Sequence, residues 1–129
     1  MAGKGKVLLV DDEEIILDVS REVLQFLGYD AVFATEGASA IKLYAQEKEA
    51  GRPFDLVIID LTIPEGMGGR ETIEKLRSYD PGVKAVVSSG YSNDPIMQDF
   101  VSYGFSGRLA KPYRINEMKL LLEDMIHKN

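Results

Sequence analysis

A chain of 129 residues that is 45% hydrophobic and 28% charged is long enough for one domain with a real core, and it is neither disordered nor membrane-like in composition. It has no cysteine and a single histidine, His127, which excludes disulfides, thiol chemistry and a thiolate or histidine-built zinc site, so any metal must be held by oxygen. A formal charge of −6 argues against nucleic acid as the direct partner, because a phosphate backbone requires clustered Lys and Arg.

No apolar run approaches the roughly 18 residues of a spanning helix. The basic start, Met1 to Lys6, leads into only a short apolar run before two aspartates, without the apolar core of a signal peptide. The expectation is one domain over residues 1–129, with its core at about 6–127, in the cytoplasm and away from membranes.

In chain order, Val7, Leu8, Leu9 and Val10 form a short apolar run that ends in Asp11 and Asp12, the pattern of a strand buried on both faces. From Ile15, apolar residues at 15, 16, 19, 23, 24 and 27 recur at helical spacing, and Gly28 is the expected C-cap. Glu13 and Glu14 in front of this helix have an ordinary explanation, since negative charge is favourable at a helix N-terminus. Residues 31–35 predict a weaker strand, and a helical pattern follows through Ile41, Tyr44 and Ala45 until Gly51 and Pro53 end it.

The run Leu56, Val57, Ile58, Ile59 then leads straight into Asp60, and it reads as the central strand of a parallel sheet. A loop over 61–69, rich in glycine, separates it from a helix that turns Ile73 and Leu76 inward and runs to about Tyr79. Pro81 and Gly82 make the next turn, and a fourth strand from Val83 ends at Ser88 or Ser89. Asp94 reads as an N-cap with Pro95 at the first helical position, and Met97, Phe100 and Val101 carry that helix to Gly104. A short strand at 108–110 ends at Lys111 and Pro112, and a last helix over 115–127 buries Met118, Leu121, Leu122 and Met125.

Five strands alternating with five helices imply a doubly wound parallel sheet with right-handed crossovers. In a parallel sheet the carboxyl ends of all strands lie on one edge, where ligands collect. With strand order 2-1-3-4-5, Asp11, Asp12 and Asp60 converge there. Such carboxylates repel one another and need a cation. Lys111 supplies one positive charge, and Mg²⁺ suits an all-oxygen site with retained waters. Phosphoryl transfer to Asp60 as nucleophile fits that set, with Lys111 and a serine hydroxyl on the phosphoryl oxygens.

Asp11 and Asp12 after an apolar strand, Asp60 with Pro64 four residues on, a serine at the end of the fourth strand and Lys111-Pro112 after the fifth closely resemble the receiver domain of two-component response regulators. The resemblance covers the chain from Lys6 to about His127, and it implies a flavodoxin-like fold and phosphorylation of Asp60 by a phosphohistidine on a sensor histidine kinase or histidine phosphotransfer protein. It further implies Mg²⁺ held by Asp12, Asp60 and the backbone carbonyl of Thr62, Asp11 assisting through water, and a cis bond between Lys111 and Pro112. Counting back from Lys111 places the switch hydroxyl at Ser89, before Gly90, rather than at Ser88. A switching surface, and a homodimer face, is expected on the fourth helix, fifth strand and fifth helix.

Two departures stand out. Arg108 occupies a place where family members often carry a Tyr or Phe that follows phosphorylation, and a guanidinium cannot bury as a ring does. The Glu65-Gly66-Met67-Gly68-Gly69 loop is one residue longer and richer in glycine than the common form, as in receivers attached to hybrid sensor kinases.

Other functions on this pattern fare worse. A flavodoxin-type electron carrier would place a Ser/Thr/Gly-rich phosphate loop where this chain has Asp12, Glu13 and Glu14, which would repel the FMN phosphate. An aspartyl-phosphate hydrolase usually carries its nucleophile after the first strand with an acid two residues later, whereas residue 62 is threonine. A module working by contact alone would have no need to retain every chemical group.

Overall fold

The computed structural model describes residues 3–62 and 68–127. Its centre is a five-stranded parallel sheet built from β1 (Lys6–Val10), β2 (Asp30–Ala34), β3 (Leu56–Asp60), β4 (Ala85–Ser89) and β5 (Gly107–Ala110), in the order β2-β1-β3-β4-β5. The helices between and after them are α1 (Glu14–Leu27), α2 (Gly37–Glu49), α3 (Gly69–Tyr79), α4 (Pro95–Gln98) and α5 (Ile115–Leu122). This is the doubly wound, flavodoxin-like architecture with the expected strand order.

Two apolar layers follow from the alternation of side chains along each strand. Leu8, Val10, Val57, Ile59 and Val87 face α2, α3 and α4, where they meet Tyr44, Ile73, Leu76 and Met97. Val7, Leu9, Leu56, Ile58 and Val86 face α1 and α5, where they meet Val23, Leu24, Met118 and Leu122. All five residues of β3 are buried, as the unbroken apolar run requires. Truncating Ile58 to alanine would open a cavity in the α1/α5 layer and cost about 2–5 kcal/mol.

The local signals behave as their chemistry dictates. Gly28 takes the left-handed conformation, φ 93°, and its N–H and that of Tyr29 bond back to the carbonyls of Gln25 and Leu24 to close α1. The Asp94 carboxylate accepts the N–H of Ile96 at 2.9 Å, with Pro95 opening α4. The peptide bond between Lys111 and Pro112 is cis.

Four expectations need correction. Ile15 and Val19 do not join the inner face of α1: they are 75% and 41% exposed, while Ser20 is buried beside Val23 and Leu24. At 100° per residue, positions 16, 20, 23, 24 and 27 make the inward stripe, and 15, 19 and 26 a neighbouring outward one. The helix expected to run from Pro95 to Gly104 stops at Gln98, because Asp99 leaves helical geometry at φ −125°, ψ 54°. A tighter 3-10 turn, Phe100–Tyr103, then leaves Val101 exposed. The last helix is regular only to Leu122 and continues as a wider π-type turn over Glu123–His127, with Leu121 and Met125 half-buried. Finally, β2 runs from Asp30 only to Ala34 and β4 begins at Ala85, so Thr35 and Val83 lie outside the strands. Pro64 and most of the glycine-rich loop lie outside the described residues.

Candidate functional site

Three strand ends bring the expected residues together. Asp11 leaves β1 fully buried, held by its N–H to the carbonyl of Ala34 at 3.0 Å. Asp60 closes β3 at 1% exposure, and Asp12 stands exposed beside them. One carboxylate oxygen from each of Asp11, Asp12 and Asp60 lies within 4.8 Å of the others. Lys111, just past β5, reaches over this cluster: its Nζ is 2.8 Å from Asp11 Oδ2, 3.1 Å from Asp60 Oδ1 and 3.2 Å from Glu13 Oε1.

The electrostatics are those of carboxylates in excess over cations. Burial pushes the Asp11 carboxyl above the ordinary range and Asp60 adds to the rise, while Lys111 and the Glu13 N–H pull the other way. For Lys111, burial alone would disfavour the ammonium, but its bonds to Asp11 and Asp60 outweigh that and hold its pKa above the usual lysine value. Lys111 is therefore a permanent cation.

A hard divalent cation fits the remaining imbalance. The donors are all oxygen, Asp12 is open to solvent, and the buried Asp11 Oδ2 and Asp60 Oδ1 face the ammonium without a well-aligned hydrogen bond of their own. Oxygen ligands with room for retained waters are what Mg²⁺ requires. Leu61 is pinned directly after Asp60, its N–H on the Ser88 carbonyl at 2.9 Å, so the carboxylate is presented from a fixed backbone.

The two serines at the end of β4 separate clearly. Ser89 is 1% exposed, and its Oγ accepts the N–H of Tyr91 at 3.0 Å, a turn bond that leaves the hydroxyl proton to donate. Ser88 is turned into the α1/α5 side of the sheet, with Oγ 2.7 Å from the Tyr113 hydroxyl. Arg108 does not bury. Its guanidinium donates to the carbonyl of Met97 at 3.0 Å and lies 5.9 Å from the Phe100 ring centroid. His127 is far from this edge, its ring 5.9 Å from that of Tyr29 at the other end of α5.

Three members of the site escaped the sequence reading. In the sequence the helix terminus alone accounts for Glu13, yet its carboxylate pairs with Lys111 across 98 residues of sequence. The Thr62 hydroxyl donates to Asp60 Oδ2 at 3.2 Å, a contact separate from the metal-binding role that the resemblance implies for its carbonyl. The third is Tyr113, buried with its hydroxyl against that of Ser88. A polar aromatic directly after a Lys-Pro pair at the functional edge was the available signal.

The sequence profile of the response regulator receiver domain matches residues 7–123. Sporulation initiation phosphotransferase F of Bacillus subtilis is 31% identical over 114 residues, covering 88% of this chain and 87% of that protein. The sensor kinase CckA of Brucella abortus is 29% identical over 128 residues, 99% of this chain but only 13% of the kinase. Among solved structures, chemotaxis protein CheY4 of Vibrio cholerae superposes with a TM-score of 0.80 at 26% identity, covering 94% of this chain and 98% of that one. The receiver domain of a Pseudomonas aeruginosa sensor histidine kinase, with magnesium in its active site cleft, gives 0.84 at 20% identity, over 96% of this chain and 98% of that one. With the profile spanning nearly the whole sheet and a close relative matched along most of its length, this chain belongs to the response regulator receiver domain family of two-component systems.

Proposed function

We propose that this chain is the phosphoacceptor module of a two-component phosphorelay, in which Asp60 takes a phosphoryl group from a phosphohistidine on a sensor histidine kinase or a histidine phosphotransfer protein. The observation that carries this is the convergence of Asp11, Asp12 and Asp60 at one sheet edge under the Lys111 ammonium. An electron carrier or a structural module has no use for that set.

The N–P bond of the donor breaks as a carboxylate oxygen of Asp60 bonds to phosphorus, and the departing imidazole keeps its ring nitrogen lone pair for a solvent proton. Lys111 pairs with one phosphoryl oxygen and the Ser89 hydroxyl donates to another. Asp12, Asp60 and the backbone carbonyl of Thr62, with Asp11 assisting through water, would hold Mg²⁺, which would supply neutralisation of charge on the transferred group. The domain catalyses its own phosphorylation and loses the group slowly by hydrolysis, without acting as a turnover enzyme.

The acyl phosphate carries roughly two negative charges where the carboxylate carried one. Movement of Ser89 and the chain after it toward those charges biases the surface of α4, β5 and α5, where a groove of about 930 Å³ is lined by Met97, Arg108, Ala110, Glu117, Leu120 and Asp124. We take that face as the one offered to an effector or to a second copy. Among the described residues no helix is long and apolar enough to cross a membrane. We place residues 1–129 in the cytoplasm as one receiver domain, core 6–127, of the kind attached to hybrid sensor kinases.

Intact mass after incubation with acetyl phosphate and Mg²⁺ tests the proposal. A gain of one phosphoryl group is expected, labile to hydroxylamine, abolished by chelator and absent in Asp60→Asn. No gain from acetyl phosphate or from a phosphorylated donor protein overturns it.

A further inference from the structure

The pair Ser88 and Tyr113 is not needed for any step above, yet it sits directly behind the reacting edge. Ser88 is fully buried and stands in register with Asp60 on one side and Leu109 on the other. Its main-chain carbonyl holds the N–H of Leu61, the residue after Asp60, and its hydroxyl meets that of Tyr113 at 2.7 Å. Tyr113 is 8% exposed and lies two residues beyond Lys111.

The turn that carries Lys111 is thus tied to β4 at two points. The Lys111 N–H bonds to the Ser89 carbonyl at 3.0 Å, and the Tyr113 hydroxyl bonds to Ser88. A buried hydroxyl pair adds little net stability, since two apolar groups of the same shape would pack there at similar free energy. What the pair adds is direction. It joins the strand position beside Asp60 to the turn bearing its counter-ion, and the Tyr113 hydroxyl is close enough to feel the charges of Asp11, Lys111 and Asp60.

We propose that Ser88 and Tyr113 are positioning residues that hold the Lys111 ammonium at its working distance from Asp60, and so set the rate of phosphoryl uptake while leaving the cation site intact. This rests on the phosphoacceptor assignment of Asp60. Neither residue belongs to the Asp11, Asp12 and Asp60 cluster.

The test compares Tyr113→Phe, Ser88→Ala and the double variant in three measurements on the whole chain. The first is the maximal uptake rate from acetyl phosphate. The second is Mg²⁺ affinity by titration calorimetry, and the third is proton exchange of the Lys111 ammonium by NMR without any donor. Each single variant is expected to slow uptake about three- to tenfold, the range of one lost hydrogen bond. Mg²⁺ affinity should stay unchanged, ammonium exchange should speed up, and the double variant should be no slower than the worse single.

Wild-type uptake in both singles overturns the proposal. So does a parallel fall of uptake, Mg²⁺ affinity and thermal stability that adds up in the double variant, which is the mark of a purely structural role. If the wild-type chain takes up no phosphoryl group, the phosphoacceptor assignment fails instead, and the ammonium exchange still decides whether the pair positions Lys111.

Discussion

Gly69, the first residue of α3, packs against the carbonyl of Asp60 so closely that a Cβ there would stand 2.9 Å from that oxygen and 3.1 Å from the Cα of Leu61. Both obstructing atoms are backbone, so neither can swing aside. Gly69→Ala must push α3 off the sheet edge or shift the chain at Asp60. A stability loss of about 1–3 kcal/mol is expected from the overpacking, measured by urea unfolding, together with weaker Mg²⁺ binding. Wild-type stability in this variant would show that the two segments are not held in contact.

Lys111→Met leaves the buried carboxylates of Asp11 and Asp60 without their ammonium. Removing one partner of a buried ion pair costs about 3–5 kcal/mol, and that loss is expected at neutral pH, where lysine is fully charged in both folded and unfolded chains. Millimolar Mg²⁺ should recover part of it by replacing the missing charge, and should raise the melting temperature of the variant more than that of the wild type. An equal shift in both proteins would mean that the metal and the ammonium do not share the same carboxylates.

Away from the site, Asp80 ties three elements together. Its carboxylate accepts the Tyr44 hydroxyl at 2.6 Å and the Gly82 N–H at 3.0 Å, and it pairs with Lys48 at 3.3 Å. The Tyr44 bond first, then the Gly82 and Lys48 contacts, hold the carboxyl below its usual pKa against the effect of burial. A carboxyl lowered in the folded state stabilises above its unfolded value near 3.8 and loses that contribution as pH falls through the folded value. Tyr44→Phe removes the largest cause, so its acid unfolding, followed by circular dichroism below pH 4, should begin at higher pH than in the wild type.

Arg108→Ala frees the carbonyl of Met97 in the last turn of α4. The bond is half-buried and global stability should fall by about 0.5–1.5 kcal/mol. Amide exchange in residues 95–103 should nevertheless accelerate, while exchange in β4 and β5 stays as it was. Unchanged exchange in that segment would show that Arg108 does not restrain it.

Much of the frame was legible because its signals are local. The apolar run at 56–59 needs both faces covered whatever surrounds it, and Gly28, Asp94 and Pro95 act through their own backbone chemistry. Asp11, Asp60 and Lys111 could be brought together from strand order alone. What stayed hidden depends on contacts distant in sequence or on fine rotation about a helix axis. Glu13 meets Lys111 and Ser88 meets Tyr113 only once the sheet is assembled. Ile15 and Val19 sit within one residue of the inward stripe of α1, too close for periodicity to sort them. The end of α4 is set by the conformation of Asp99, for which no residue in 95–104 gives a warning.

That early end of α4 determines how cheaply the segment can be redrawn. Only the Gln98 and Asp99 amides close helical bonds there, onto the carbonyls of Asp94 and Pro95, with the Asp94 cap beside them. Dissolving them forfeits on the order of 2–4 kcal/mol, which is about what one or two new hydrogen bonds to a charged group return. The β3 strand, buried along its whole length, offers no comparable alternative. Residues 94–103 are therefore tied to the rest of the chain mainly through the buried Met97 and the Arg108 bond to its carbonyl, so a change at those two points redraws the segment while the sheet beside it keeps its shape.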